Sequence, residues 1–178
     1  MLKILFQHHR VMRMETNPNQ VQILRIDLQK IDLLQYVKKD ELLWKSLFFT
    51  GLDESTKISL LASGHVRTAK DKEVIFRQAP TREIFMILDG SIVLSINEGT
   101  IDLMTLSKGD FFGLTSVFKN APLVQATAVS NETRMAIFPG DMVTSLAASN
   151  EPFGRNLAHH AKNRSIRARE CADFMDKW

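Results

Sequence analysis

Gly109-Asp110-Phe111-Phe112-Gly113-Leu114-Thr115-Ser116-Val117-Phe118-Lys119-Asn120-Ala121-Pro122-Leu123-Val124-Gln125-Ala126-Thr127-Ala128-Val129 is the stretch on which the reading of this chain turns. Lys108-Gly109-Asp110 signals a turn, because glycine reaches backbone angles that other residues avoid and aspartate bonds its own backbone. Phe111-Phe112 closes a strand-like run, Gly113 allows a sharp change of direction, and Thr115-Ser116 open a short helical segment that Pro122 stops. Ala126 to Val129 reads as extended again. A glycine followed by a helix start presents free backbone N–H groups, which suit a phosphate. The same geometry also serves merely to redirect a chain.

Around this stretch, from Val66 to Phe138, short β-rich runs alternate with turns. The runs are Val74 to Arg77, Ile84 to Leu88, Ser91 to Ile96, Ile101 to Leu106, Phe111-Phe112, Ala126 to Ser130 and Thr133 to Phe138. Asp89-Gly90, Asn97-Glu98-Gly99, Lys108-Gly109 and Asn131-Glu132 mark the turns between them. Strands this short and closely spaced suit an antiparallel roll or barrel.

Helical signals flank the β-rich part. Asn17-Pro18 pairs a preferred N-cap with a residue suited to the first helical position. Val21, Leu24, Leu28, Ile31 and Leu34 or Gln35 then share one helical face. Asp40 is a cap for a helix through Leu43, Trp44 and Leu47, and Asp53 for another through Ile58 and Leu61, which Gly64 ends. After the strands, Asp141 is expected to cap a short helix over Met142 to Ala148. Glu151-Pro152 starts the longest helix, running towards Trp178. The expected class is α+β: an antiparallel β-roll of the double-stranded β-helix or jelly-roll type, with N-terminal helices and a long C-terminal helix. The expected parts are a basic tail at 1–14, a helical extension at 15–46, the roll at 47–150 and the C-terminal helix at 151–178.

Gly109-Asp110-Phe111-Phe112-Gly113, a short helix, then Ala121-Pro122 and Ala126-Thr127 resemble the phosphate-binding cassette of cyclic-nucleotide-binding domains, of the catabolite-activator and Fnr-like kind. Leu47-Phe48, Gly51-Leu52, Ile58 and Leu60-Leu61-Ala62 resemble that family's opening helix. Val74 to Gln78 and Ile84 to Ile87, with Gly90, resemble its first roll strands. The resemblance covers about 47–153. It implies a ligand site at Gly113, Leu114, Thr115, Ser116, Leu123, Val124, Gln125 and Ala126. It also implies a dimerisation helix at the C-terminus, where Leu157, Ala161, Ser165, Ala168, Ala172 and Met175 follow coiled-coil spacing with small residues. The alternative reading of that face is packing on the roll of its own subunit.

Two positions depart from the family pattern. A glutamate that holds the ribose is replaced by Leu114. An arginine that pairs with the cyclic phosphate is replaced by Leu123 or Val124, depending on alignment. An anion in a partly dry pocket needs a charge-assisted partner, and a guanidinium is the strongest kind. A cyclic nucleotide is therefore disfavoured, and no other cofactor is implied. The expected role is a non-enzymatic regulatory or signalling module acting through a protein partner and as a homodimer. The alternatives are a genuine sensor of a cyclic nucleotide or another small molecule and, behind it, a DNA-binding transcription regulator. The family's regulators carry a helix-turn-helix after the C-terminal helix, and the sequence ends at Trp178 where it would begin.

Composition narrows the chemistry. The chain has 178 residues, 44% hydrophobic and 24% charged, with net charge +3. That suits one folded domain with appendages. The roll segment holds nine basic and eleven acidic side chains, so the basic excess lies at the ends. One cysteine, Cys171, excludes an intrachain disulfide or an iron–sulfur cluster ligated by this chain's cysteines alone, and with it Fnr-type oxygen sensing. His8, His9, His65, His159 and His160 fall outside the expected strands, so no cupin-like metal site is expected. No catalytic residue is expected either, since Thr115 and Ser116 lack a nearby histidine and read as helix caps. Ile4-Leu5-Phe6 is too short for a membrane span. Arg155, Lys162, Arg164, Arg167 and Arg169 form a basic run read as helix surface or as a docking face for an acidic partner, without sequence-specific nucleic-acid contact. The cytoplasm is the expected compartment.

Overall fold

Apolar runs without polar alternation mark the strands that are covered on both sides. The computed structural model describes residues 33–77, 81–114, 117–118 and 124–175, with backbone only for 172–175. Eight strands run β1 His65–Lys70, β2 Val74–Phe76, β3 Glu83–Asp89, β4 Ser91–Ile96, β5 Ile101–Ser107, β6 Phe111–Phe112, β7 Gln125–Ala128 and β8 Glu132–Pro139. They form two four-stranded antiparallel sheets, ordered β1-β8-β3-β6 and β2-β7-β4-β5. This is the expected β-roll.

The first sheet separates two cores. Ile84, Met86 and Leu88 of β3, with Ala136 and Phe138 of β8 and Phe111 of β6, enter a core shared with the helices. The alternate residues, Phe85, Ile87, Met135, Ile137 and Phe112, enter a core inside the roll. Successive side chains of a strand point to opposite faces, so a strand with both faces covered is apolar at every position. The helical core centres on Phe48, whose ring lies 5.2 Å from Phe49, 5.3 Å from Phe111 and 5.2 Å from Phe138. The inner core centres on Phe85 stacked on Phe112 at 4.9 Å.

Helix α1 occupies 33–39, burying Leu33 and Val37. The expected face through Leu34 or Gln35 is offset: Leu34 is half-buried and Gln35 exposed. The rest of the proposed extension, 15–32, with its Asn17-Pro18 start, lies outside the described residues. Asp40 caps α2, Glu41–Trp44, by accepting from the Leu42 and Leu43 N–H groups. The expected run to Leu47 breaks at Ser46, whose side chain caps a 3-10 turn at Leu47–Phe49. Asp53 caps α3, Glu54–Ser63, as expected. Gly64 ends that helix without left-handed angles. A Cβ there would meet the Phe138 ring at 2.9 Å, so packing rather than backbone freedom requires the glycine.

Helix α4, Gly140–Ser149, starts two residues earlier than expected. Pro139 is its N-cap, and Asp141 lies in the first turn, where it accepts from Met142 N–H. Helix α5, Glu151–Met175, follows at once. Its Phe153, Leu157 and Ala161 sit in the helical core and its Ala168 in the inner one, so α5 bridges both layers of the roll. Side-chain bonds fix its start: Asn150 donates to the Gly51 carbonyl at 3.0 Å, and Asn156 to the Leu47 carbonyl at 2.7 Å.

Candidate functional site

The cassette begins at a braced turn. Ser46 Oγ donates to the Gly109 carbonyl at 2.6 Å, and Lys108 pairs with Asp40. The Lys108 ammonium, bonded to Asp40, holds that carboxyl below its ordinary value, with the Leu43 N–H helping. The N-terminal helices are thereby tied to the turn that leads into β6. Just past β6, Gly113 takes φ +90°, and a Cβ there would run into the Glu83 carbonyl oxygen. Only glycine lets the chain leave β6 so close to β3.

Past Gly113, the roll and α5 enclose a cavity of about 20 Å³, room for about one water. Its roll side is Phe76, Leu94, Leu103, Met104, Gly113, Leu114 and Val124, and its helix side is Ala161, Arg164 and Arg167. Leu114 is 4% exposed and Val124 8%. Both expected replacements of charge by aliphatic carbon that fall among the described residues thus face this space. Ala126 is fully buried in β7, opposite Leu94 and Phe76. Gln125 is turned aside, donating to Thr127 Oγ1 at 3.2 Å. Thr115, Ser116 and Leu123 lie outside the described residues.

The cations at this cavity come from the helix. Arg164 donates to the Phe111 carbonyl and lies over the Phe111 ring, its Cζ 5.4 Å from the centroid. Loss of water around the guanidinium pushes its pKa down to about 10, with the Asp110 charge opposing. Arg164 therefore stays charged at neutral pH. None of the ion pairs among the described residues includes it. The expected placement of Arg164 on the helix surface is corrected: it turns inward. Ala161, Arg164 and Ala168 are separated by three and four residues, the spacing of one helical face, and that phase was the available signal.

His160 also turns in, edge-on to Phe111 at 4.9 Å between ring centroids. Desolvation lowers its pKa, and Arg164 and His159 lower it further. His65, expected outside the strands, is the exposed first residue of β1. Among the described residues no group of three or more His, Cys, Asp or Glu could hold a metal. Of the expected dimer seam, Leu157, Ala161 and Ala168 are buried within this chain. Ser165 is half-buried and donates to the Ala161 carbonyl at 3.0 Å. The side chains of Ala172 and Met175 lie outside the described set. Among the described residues no helix is long and apolar enough to cross a membrane.

A second concavity, of about 440 Å³, opens on the far side of the first sheet between α1, β1 and β8. Gln35, Tyr36, Lys39, Val66, Thr68, Leu88 and Arg134 line it, and Arg134 is paired with Glu132 at 2.8 Å. It is roomier than the cassette cavity and more open to water.

Solved structures share this architecture. The regulatory subunit of a cAMP-independent protein kinase A from Trypanosoma brucei matches with a TM-score of 0.63 at 16% identity, over 82% of this chain and 50% of its own. A triple variant of that subunit, one change introducing an arginine, is bound to cAMP in its A site; it matches at 0.59 and 18% identity, over 83% and 52%. The sensor domain of the transcriptional regulator DNR from Pseudomonas aeruginosa matches at 0.61 and 19% identity, over 76% and 94%. The chain thus spans about half the length of the trypanosome subunit. At these identities the likeness is one of fold. No curated protein matches the sequence. Residues 65–150 match the model of the cyclic nucleotide-binding domain. Over that segment the chain is similar to the cyclic-nucleotide-binding domain family, with Leu114 and Val124 facing the cavity beside its cassette glycine.

Proposed function

We propose that this chain is a non-enzymatic regulatory module whose roll has given up cyclic-nucleotide binding and whose output is contact with a protein partner. One observation carries the reading: the roll side of the cassette cavity presents no charged side chain among its described residues, and Leu114 and Val124 fill it from within. A cyclic phosphate placed there would lose the charge-assisted bonds that make such a site bind. Truncating one partner of a buried charge pair costs about 2–5 kcal/mol. At about 1.4 kcal/mol per decade, losing one such partner takes a micromolar ligand to roughly 30 μM to a few millimolar, and here two anchors are replaced. The trypanosome subunit supports this: it belongs to a cAMP-independent protein kinase A, and its triple variant, in which one change introduces an arginine, is bound to cAMP.

For the partner, the N-terminal helices offer a surface. Leu42 is 55% exposed and Leu47 57% exposed, on the elements tied to the cassette turn through Asp40 and Ser46. α5 offers its outer face, where Ile166 stands exposed among Lys162 and Arg169.

Titration calorimetry with cAMP and cGMP at neutral pH tests the nucleotide half of the reading. The expected dissociation constants exceed about 100 μM for both. A value near 1 μM for either would overturn the proposal and restore a genuine nucleotide sensor. Val124→Arg should tighten cAMP by about tenfold or more if charge alone is missing, since one charge-assisted bond contributes about 1.5–3 kcal/mol.

A further inference from the structure

The roll and α5 treat charge in opposite ways. The roll contributes a floor of Phe76, Leu94, Leu103, Leu114 and Val124, all apolar. The helix contributes Arg164, whose guanidinium is desolvated, held over the Phe111 ring, and engaged with a neutral carbonyl instead of a carboxylate. A guanidinium has five N–H donors in a planar fork shaped for a carboxylate or phosphate. Burying it against one backbone oxygen leaves most of that capacity to water or to a ligand. Arg167 stands one turn further along the same rim.

We propose that the cavity between the roll and α5 is a binding site for a small carboxylate with an apolar tail, its head on Arg164 and its tail on the Leu94 and Leu103 floor. The inference rests on the reading that this pocket is no longer a nucleotide site. Three features select the class. The floor supplies nothing for hydroxyl or base N–H groups among its described residues, so a polar body would lose its water without replacement. The head must be anionic, because a desolvated cation gains most from an opposite charge. The tail must be short, because the cavity as it stands is about 20 Å³. Room for it comes from the rim: Met104 is only half-buried, so its flexible side chain can swing outward. The charged partner sits on α5 and the apolar partner on the roll, so the ligand joins the two and its binding holds the helix down.

The test is a titration of the full chain with hexanoate, with neutral hexanamide in parallel, followed by amide chemical shifts and by calorimetry. Hexanoate should saturate below about 1 mM, with shifts at Gly113, Val124 and Arg164. Hexanamide should bind at least about tenfold more weakly, as should hexanoate to Arg164→Met, a tenfold change being about 1.4 kcal/mol. Arg164→Lys should fall between, keeping the charge without the fork. Arg155→Met, on the exposed face, should leave affinity unchanged. Leu94→Trp fills the floor without touching the arginine and should abolish binding, which keeps the test sound if Arg164→Met fails to fold. Equal affinity for hexanoate and hexanamide overturns the proposal, as does no saturable binding of hexanoate below about 10 mM. Either failure leaves the nucleotide titration untouched, and tight cAMP binding would sink the earlier reading whatever hexanoate does.

Discussion

The two walls of the cassette cavity differ in a way that the fold does not demand. The roll wall is aliphatic: Leu94, Leu103 and Val124 belong to the inner core and Leu114 to the helical one. The helix wall is one alanine, Ala161, followed by two arginines. A β-roll needs its interior apolar to close, because strands with one inward face bury alternate side chains. A helix laid over the mouth needs small residues where it touches and tolerates charge where it does not. Cation and floor are therefore carried by separate elements, and anything that binds both depends on how α5 is seated. Phe111 is the hinge of the contrast. Its ring packs on Phe48 at 5.3 Å in the helical core, while its carbonyl and ring face hold Arg164.

The sharpest way to break that contrast is Phe111→Ala. It removes a ring that is 2% exposed and meets Phe48, His160 and Arg164. The expected loss is about 3–5 kcal/mol, read by urea denaturation. A loss under about 1 kcal/mol would mean that the two walls are not coupled through this residue.

The next largest effect is expected at the seat of the helix. Ala161 and Ala168 are 6% and 8% exposed in this chain. Ala161→Glu and Ala168→Glu would each place a carboxylate against apolar carbon. Each should cost roughly 2–3 kcal/mol and release the last half of α5, visible as faster amide exchange there. Light scattering on the same variants separates two uses of the face. An unchanged mass with lowered stability means that the small residues seat α5 on its own roll. A dimer that splits while the subunit keeps its stability means that the face belongs to a second copy.

The sequence carried the roll more fully than the site. Six of the strands announced themselves through apolar runs such as Ile84 to Leu88, and Phe111-Phe112 through its flanking glycines. β1 did not. As an edge strand it pairs only with β8 and buries only Ala69, so His65-Val66-Arg67-Thr68-Ala69-Lys70 shows no alternation strong enough to read. Asp141 misled because aspartate two residues after a proline satisfies the cap rule, whereas the helix starts at Gly140 with Pro139 as its N-cap. At the site, Leu114 and Val124 were legible, because a missing charge is visible in the sequence. Arg164 was not, because a basic run such as Arg164, Arg167 and Arg169 looks the same whichever face it occupies. Its inward turn follows from helical phase against Ala161 and Ala168, and that phase has meaning only once the helix is known to lie on the roll.

The smallest effect concerns His160, on the same helical turn as Arg164. Its imidazole meets the Phe111 ring, and the groups that act on it are desolvation, Arg164 and His159, which lower its pKa, and Asp110, which raises it. The net direction is down from the ordinary 6.5. The unfolded chain therefore takes up a proton more readily than the folded one, and stability rises with pH where their occupancies differ. The contribution is fully present above pH 6.5 and is lost as pH falls towards the folded value. Asp40, Asp53 and Glu73 act in the same sense but in a lower window, because their folded values lie below the ordinary 3.8 and 4.5. Denaturation of the wild type should thus show a slope of stability against pH just below 6.5 that His160→Gln lacks, while the decline below pH 4.5 is shared by both. The difference should stay under about 1 kcal/mol, since the ring is only half-buried and water screens it. A slope retained in His160→Gln would mean that the helix wall senses protons elsewhere. A slope lost from Arg164→Met as well would show that the histidine titrates only because the arginine sits beside it.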